Sequence, residues 1–164
     1  MTIVRFLAFF LVILSTYADN LLNSFEVSYK DNLKEEEITW QLKQKKNTIG
    51  KLESIGGKPI LLSLTPIHID KKTSLYELRY DAGMMGTKLL FHVERILILE
   101  KSESNVWKAH KDFLVKVSRL KGDKILDAEN RKHLWKDGRI TLDEIEDQPA
   151  ETLRWTGNSL IKVK

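Results

Sequence analysis

Regular alternation of apolar and polar residues is the feature that most constrains the fold of this chain. Phe25, Val27 and Tyr29 are separated by single polar residues, and the same pattern returns over residues 38–42 and 76–80. Successive side chains of a β-strand point to opposite faces, so a period of two is typical of strands with one buried and one solvated face. The pattern therefore predicts a domain built from β-strands.

One segment departs from this alternation because it is apolar on both of its faces. Residues 89–100 are too long and too apolar for a surface strand, which predicts a central or strongly curved strand. Residues 107–120 alternate again, so the two segments are expected to form a long hairpin around the loop 102–105. The apolar side chains of the first segment are Phe91, Val93, Leu97 and Leu99 on one face, and Leu90, Ile96 and Ile98 on the other.

Helix signals are sparse, whereas turn signals are frequent. The one helix candidate begins at Asp127, but its apolar residues form no stripe at helical spacing, so we expect a strand from about Asn130 to Trp135 instead. Asp137-Gly138 predicts a two-residue hairpin turn, and Gly157-Asn158 predicts a last one. A further turn is expected over residues 81–86.

Together these signals predict an all-β domain of about nine or ten antiparallel strands with little helix. Pro66 lacks a backbone N–H and so suggests an edge strand or a bend. A sheet of this length must curl, and we expect a curved antiparallel sheet in the form of a half-barrel or a barrel, with a sandwich as the alternative.

The first 18 residues predict export. Arg5 precedes the apolar run 6–14, and Thr16 and Ala18 place small residues before a predicted cleavage site at Asp19. The run is about half the length that a transmembrane helix needs, so we expect no stable membrane span after cleavage. The predicted organisation is a signal peptide over 1–18 and a single β-rich domain over 19–164, located in the periplasm or secreted.

Composition narrows the range of partners and cofactors. The chain has no cysteine, which excludes disulfides, thiolate metal sites and thiol nucleophiles. It carries a net charge of +4, but its basic residues alternate with acids along the chain. Nucleic-acid binding requires a concentrated basic stripe, so we expect no nucleic-acid partner.

No motif in the sequence predicts catalysis or a metal ion. The chain contains no Gly-x-Ser-x-Gly elbow, no phosphate-binding glycine loop and no closely spaced histidine pair. The four histidines, which are His68, His92, His110 and His133, are expected to be singly hydrogen-bonded. Residues 137–144 resemble half of an EF-hand calcium loop, but His133 and Trp135 then occupy positions that require oxygen ligands. We therefore expect no metal and no cofactor, and we favour a non-enzymatic protein over an enzyme.

Residues 130–143 are similar to a pattern in exported bacterial β-rich proteins with domains of unknown function. In those proteins a strand ending in Trp-Arg/Lys-Asp-Gly-Arg/Lys-Leu leads into a strand that continues with an acidic residue. Residues 25–29 and 46–50 resemble their opening hairpin, whereas residues 144–149 replace the expected glycine-containing turn. The resemblance implies a curved sheet related to periplasmic lipoprotein carriers, and it implies no known activity.

These observations predict a non-enzymatic envelope protein that binds an apolar or lipid-like ligand in the concave face of its sheet. The alternative is a sandwich-type module that docks another envelope protein by strand addition; an enzyme is the third hypothesis. The ligand-binding residues predicted from apolar strand positions and aromatic content are Leu90, Ile96, Ile98, Trp40 and Trp107. An open apolar groove would favour the carrier, and a filled core would favour the module.

Overall fold

The structure, a computed structural model, describes residues 20–32, 37–68 and 73–163. These residues form twelve strands and one helical turn at residues 20–22. The signal peptide predicted at residues 1–18 lies outside the described residues. The strands are β1 (Phe25–Asn32), β2 (Glu37–Gln44), β3 (Asn47–Leu52), β4 (Ile60–His68), β5 (Ser74–Met85), β6 (Leu90–Lys101), β7 (Trp107–Lys121), β8 (Lys124–Asn130), β9 (His133–Lys136), β10 (Arg139–Leu142), β11 (Glu151–Trp155) and β12 (Leu160–Lys162).

The strands form three antiparallel sheets in which each strand pairs only with its neighbours in the chain. The N-terminal sheet contains β1 to β3, the central sheet β4 to β8, and the C-terminal sheet β9 to β12. The prediction of an all-β fold with a curved antiparallel half-barrel sheet is confirmed, although the described residues contain more strands than the nine or ten expected.

The long hairpin and the two tight turns lie where the sequence predicts them. β6 and β7 pair along their length, from Leu90 opposite Leu120 to Lys101 opposite Trp107. Asp137 and Gly138 have φ angles of 50° and 71°, as the residues of a type I′ hairpin turn must, and they join β9 to β10. Gly157 lies in the turn between β11 and β12, with a φ angle of 95°.

Two local predictions are wrong. Residues 81–86 do not turn the chain, because β5 continues to Met85 and absorbs Gly83, with a φ angle of 97°, in a register shift. The strand expected from Asn130 to Trp135 is divided, since β8 ends at Asn130 and β9 begins at His133. β8 itself was not predicted, because its residues are almost all exposed and show no alternation of burial.

The central sheet is buried on both faces, and each face belongs to a different core. The first core lies between the N-terminal and central sheets, and the second lies between the central and C-terminal sheets. The first core contains Phe25, Val27, Leu42, Leu52, Leu64, Leu78, Tyr80, Ala82, Val93, Leu97, Leu99, Trp107, Leu114, Val117 and Ile145. The second core contains Ile96, Ile98, Phe113, Val115, Ile140, Leu142 and Leu153.

A close approach at Gly50 brings the N-terminal sheet against the central sheet. β3 contacts β7, and a Cβ atom added to Gly50 would collide with the Cβ atom of Ala109. Only glycine leaves room for this backbone approach. The contact closes one side of the half-barrel, while β1 and β4 lie at its other side as the terminal strands of their sheets.

Candidate functional site

The five residues predicted to bind a ligand are not brought together in one site. Ile96 and Ile98 are fully buried, and Ile140, Leu142 and Leu153 of the C-terminal sheet share their core. The apolar surface expected to form an open groove at these two residues is therefore covered by protein. The physical reason is that the four short C-terminal strands supply a third layer for this face of β6.

The other three predicted residues lie at separate places. Leu90 is half-buried at the end of the central sheet, opposite Leu120. Trp40 packs against the first core from β2, and Trp107 is buried in that core. The ring of Trp107 lies 5.0 Å from the ring of Phe25, centroid to centroid.

The strongest candidate site is an open groove between β1 and β4, which we call the seam groove. It has a volume of about 570 Å³ and extends from the helical turn before β1 to the start of β4. Apolar side chains form most of its lining, and Asn23, Glu26 and Lys58 add polar groups. The apolar lining residues are Leu22, Phe25, Val27, Pro59, Ile60 and Leu61.

The positions of β1 and β4 in their sheets explain why this groove stays open. β1 and β4 each pair on one side only, because they are the terminal strands of their sheets. Phe25 and Val27 point into the first core, and Leu22 and Leu61 pack against it, so the floor of the groove is continuous with that core. Ile60 remains 59% exposed on the β4 side of the groove. Part of the first core is therefore accessible to solvent between β1 and β4.

A separate feature of the first core is a buried network of polar side chains. The Tyr80 hydroxyl is fully buried and donates to Asp112, while the Arg95 Nε donates to the other Asp112 oxygen at 2.5 Å. The backbone N–H of Glu53 donates to the Tyr80 oxygen at 3.1 Å. Burial raises the pKa of the Tyr80 hydroxyl far above its ordinary value, and the negative charge of Asp112 adds to the effect.

The contacts of this network indicate a structural role, because they join residues of neighbouring strands. Burial also raises the pKa of Asp112, although the Arg95 guanidinium opposes the shift. Both Asp112 oxygens and the Tyr80 oxygen have partners, and the network ties β5, β6 and β7 to the end of β3. A buried polar network that is fully satisfied favours one strand register over its alternatives.

Ion pairs surround the second core at its rim. Glu94 accepts from Arg79 Nε and from Lys116 Nζ, each at 2.7 Å. Burial alone would raise the pKa of Glu94, but the bonds from Lys116 and Arg79 outweigh it and lower that pKa. Lys111 pairs with Glu151 at 3.1 Å and so links β7 to β11.

Three histidines are each paired with one carboxylate, as expected for singly hydrogen-bonded histidines. The Nε2 to carboxylate distances are 2.8 Å for His92 with Asp81, 2.8 Å for His110 with Glu100 and 2.9 Å for His133 with Glu77. The His133 pair joins β9 to β5, and the bond from Glu77 raises the pKa of His133. The side chain of His68 lies outside the described residues.

A buried arginine holds the segment that follows β10. Arg131 is 4% exposed and donates to the carbonyl oxygens of Asp143 and Pro149. Its own N–H donates to the carbonyl oxygen of Val115 at 2.8 Å. Burial lowers the pKa of Arg131 relative to a free guanidinium. Arg131 therefore acts as a structural clamp at the junction between β8 and β9.

The described parts of the chain contain neither a cluster of metal-ligating side chains nor a helix that could cross a membrane. Among residues 20–32, 37–68 and 73–163, no group of three or more histidine or carboxylate side chains could hold a metal ion. Within the same ranges, no helix has both the length and the apolar character needed to cross a membrane.

Comparison with known proteins identifies no relative. No protein-family model matches the chain, and no curated protein or solved structure is significantly similar to it. The seam groove was missed in the sequence because its lining comes from the edges of two strands that are far apart in the chain. The one available signal was Pro66, which correctly marked β4 as an edge strand.

Proposed function

We propose that this chain is a non-enzymatic binding protein that holds an apolar, lipid-like ligand in the seam groove. The observation that carries the proposal is an open groove of about 570 Å³ whose floor is continuous with the first core. Ligand sites of this kind are typically 300–1,000 Å³ in volume and mainly apolar, with a few polar groups that orient the ligand.

The groove lining suggests which end of a ligand would be polar. Phe25, Val27 and Leu61 offer apolar contact to a hydrocarbon chain, while Lys58 stands beside Pro59 at the groove. An ammonium group attracts a carboxylate or phosphate, so an acyl chain with an acidic head group matches the lining. We therefore assign a fatty-acid-like ligand to the seam groove.

Export to the bacterial envelope is the setting that fits such a ligand. The apolar run 6–14 and the small residues Thr16 and Ala18 support export. Because the C-terminal sheet covers Ile96 and Ile98, the site that we propose lies at the seam of the sheets and not on the face where the sequence predicted it.

The second candidate function is strand addition by a protein partner in the same groove. Both strands that border the groove pair on one side only, so each has a free edge of backbone N–H and C=O groups. An extended peptide can add to such an edge by main-chain hydrogen bonds. Pro66 interrupts the donors of β4, so β1 is the better acceptor of a new strand.

A fatty-acid displacement assay tests the proposed function. An environment-sensitive apolar dye should bind the protein with a Kd on the order of 1 μM, and a medium-chain fatty acid should displace it. Ile60→Glu places a charge in the groove and should weaken dye binding at least about tenfold, since the lost contact is worth about 1.5 kcal/mol. Leu62→Glu, on the same strand but outside the groove lining, is the matched control and should bind normally.

Two further measurements separate the alternatives. Lys58→Ala should weaken fatty-acid binding but leave binding of the corresponding fatty alcohol unchanged. Strand addition would instead slow amide exchange along the free edge of β1 when a peptide binds. Absence of dye binding by the unmodified protein, or equal loss in Ile60→Glu and Leu62→Glu, would contradict the ligand proposal.

A further inference from the structure

A separate surface lies where the β5–β6 and β7–β8 hairpins project from one end of the central sheet. Leu90 pairs with Leu120, and Leu120 pairs with Ile125, so both hairpin turns lie side by side at the same end. We call residues 84–90 and 120–126 the hairpin tip. The seam groove does not include any of these residues.

The hairpin tip carries a concentration of exposed apolar side chains. Of the eleven large hydrophobic residues that are exposed in the described part of the chain, five belong to these two short segments. Ile125 is 60% exposed and Leu126 is 53% exposed. The five residues are Met84, Met85, Leu89, Ile125 and Leu126. Exposed apolar side chains concentrated at one end of a sheet are candidates for a contact surface.

Three exposed lysines accompany these apolar residues. Lys88 lies in the turn between β5 and β6, and Lys121 lies directly opposite Lys124 across the β7–β8 hairpin. None of the three forms an ion pair with a described residue. Asp123 is the one acidic residue of the two segments.

The charge arrangement indicates an anionic partner. Like charges placed directly opposite each other on paired strands destabilise the pair, and Lys121 and Lys124 are such a pair. An external anionic surface would remove this repulsion. The neighbouring Arg119 is already occupied by Asp127, Glu129 and Glu146, so the three lysines supply the charge that remains available.

We propose that the hairpin tip inserts into the head-group region of an anionic lipid bilayer. Exposed apolar side chains at projecting turns can enter the boundary of the acyl chains, while lysine stems extend along them and keep their ammonium groups among the phosphates. Polar backbone at the turns stays at the depth of the head groups. Apolar contact and electrostatic attraction then act on the same residues.

Single-site labelling tests this proposal directly. The chain has no cysteine, so Ile125→Cys can carry one environment-sensitive fluorophore in the full-length protein. With vesicles of phosphatidylglycerol and phosphatidylcholine, its emission should shift to the blue and increase several-fold. The matched control is Val106→Cys, which is 62% exposed in the loop at the opposite end of β6 and β7 and should not respond.

Removal of the three lysine charges tests the electrostatic part of the proposal. Replacing Lys88, Lys121 and Lys124 with Gln in the Ile125→Cys protein should weaken binding to anionic vesicles about 100-fold, since each basic residue near an anionic surface contributes roughly fivefold in affinity and the three factors multiply. Pure phosphatidylcholine vesicles should give a much smaller response. Far-UV circular dichroism of each labelled variant confirms that the fold is retained.

The proposal is overturned if the label at position 125 stays in a water-like environment with anionic vesicles, or if the labels at 125 and 106 respond equally. A response at 125 that is unchanged by the three lysine substitutions would also contradict the proposed charge contacts. The apolar residues 6–14 are common to both labelled proteins, so they do not produce a difference between the two positions.

Discussion

The two faces of the β6–β7 hairpin are covered in different ways. On one face, Leu97 and Leu99 share a large core with the N-terminal sheet, and that core contains the buried network of Tyr80. On the other face, Ile96 and Ile98 share a smaller core of apolar residues with the C-terminal sheet, and the ion pairs lie at its rim.

The difference shows where an all-β chain leaves apolar surface accessible. Apolar residues on both faces of a strand require cover on both faces, and here two layers of the same chain provide it. The accessible apolar surface lies instead at the strand edges of the seam groove and at the turns of the hairpin tip. A search for binding sites in such folds should therefore begin at edges and turns.

The largest effect is expected from a charge placed in the second core. Ile96→Glu buries a carboxylate among Phe113, Ile140 and Leu153 without a partner, and we expect a loss of at least about 3 kcal/mol in the free energy of unfolding. Chemical denaturation followed by circular dichroism measures the effect. Leu134→Glu, on an exposed position of β9, is the control and should change stability by less than about 0.5 kcal/mol.

A stable, folded Ile96→Glu protein would contradict the assignment of protein cover to both faces of β6. It would mean that the C-terminal sheet does not seal this face of β6, and a ligand groove at Ile96 and Ile98 would again be a valid hypothesis.

A smaller effect is expected from the network in the first core. Tyr80→Phe removes the hydroxyl that donates to Asp112 and accepts from the N–H of Glu53, leaving that N–H without this partner. We expect a loss of about 1–3 kcal/mol in the free energy of unfolding, because a buried donor or acceptor left unpaired costs that amount. Urea titration at neutral pH is the measurement. An unchanged midpoint would show that the network contributes little to the first core.

The smallest effect concerns the rim of the second core. The bond from Glu77 raises the pKa of His133 above its ordinary value of 6.5, so the pair stabilises the folded state fully below pH 6.5. This contribution is lost as the pH rises through the folded-state pKa. Because the pair is partly exposed, we expect roughly 0.5 kcal/mol. The free energy of unfolding should therefore differ more between the unmodified protein and Glu77→Gln at pH 5.5 than at pH 8.5.

Nuclear magnetic resonance titration of His133 gives an independent check of that pair. A His133 pKa that is the same in the unmodified protein and in Glu77→Gln would contradict the assigned contact.

Much of the fold could be predicted because it is encoded locally. Alternation predicted the strands that bury one face, and Asp137-Gly138 predicted a turn whose positive φ angles few residues tolerate. β8 escaped prediction because Ile125 and Leu126 are both exposed, so burial imposes no alternation there. The turn predicted at residues 81–86 is absent because Gly83 lies at a bulge within β5. A glycine by itself does not distinguish a turn from a bulge.

The candidate site could not be predicted for a different reason. The sequence shows that Ile96 and Ile98 need cover, but it does not show whether a ligand or another layer provides it. The seam groove combines Phe25 and Val27 of β1 with Ile60 of β4, and their proximity depends on how two sheets pack. Long-range packing of this kind leaves no periodic signal in one sequence.

The chain order of the sheets has a consequence for assembly. All four strands of the C-terminal sheet lie within residues 133–163, and only Arg131 and Lys132 connect this segment to β8. Two molecules could exchange the whole segment without breaking a strand pairing, and each would recover the same second core from its partner. Such an exchange would require the short connection at Arg131 to straighten, and the bonds from Arg131 to the carbonyl oxygens of Asp143 and Pro149 oppose that change.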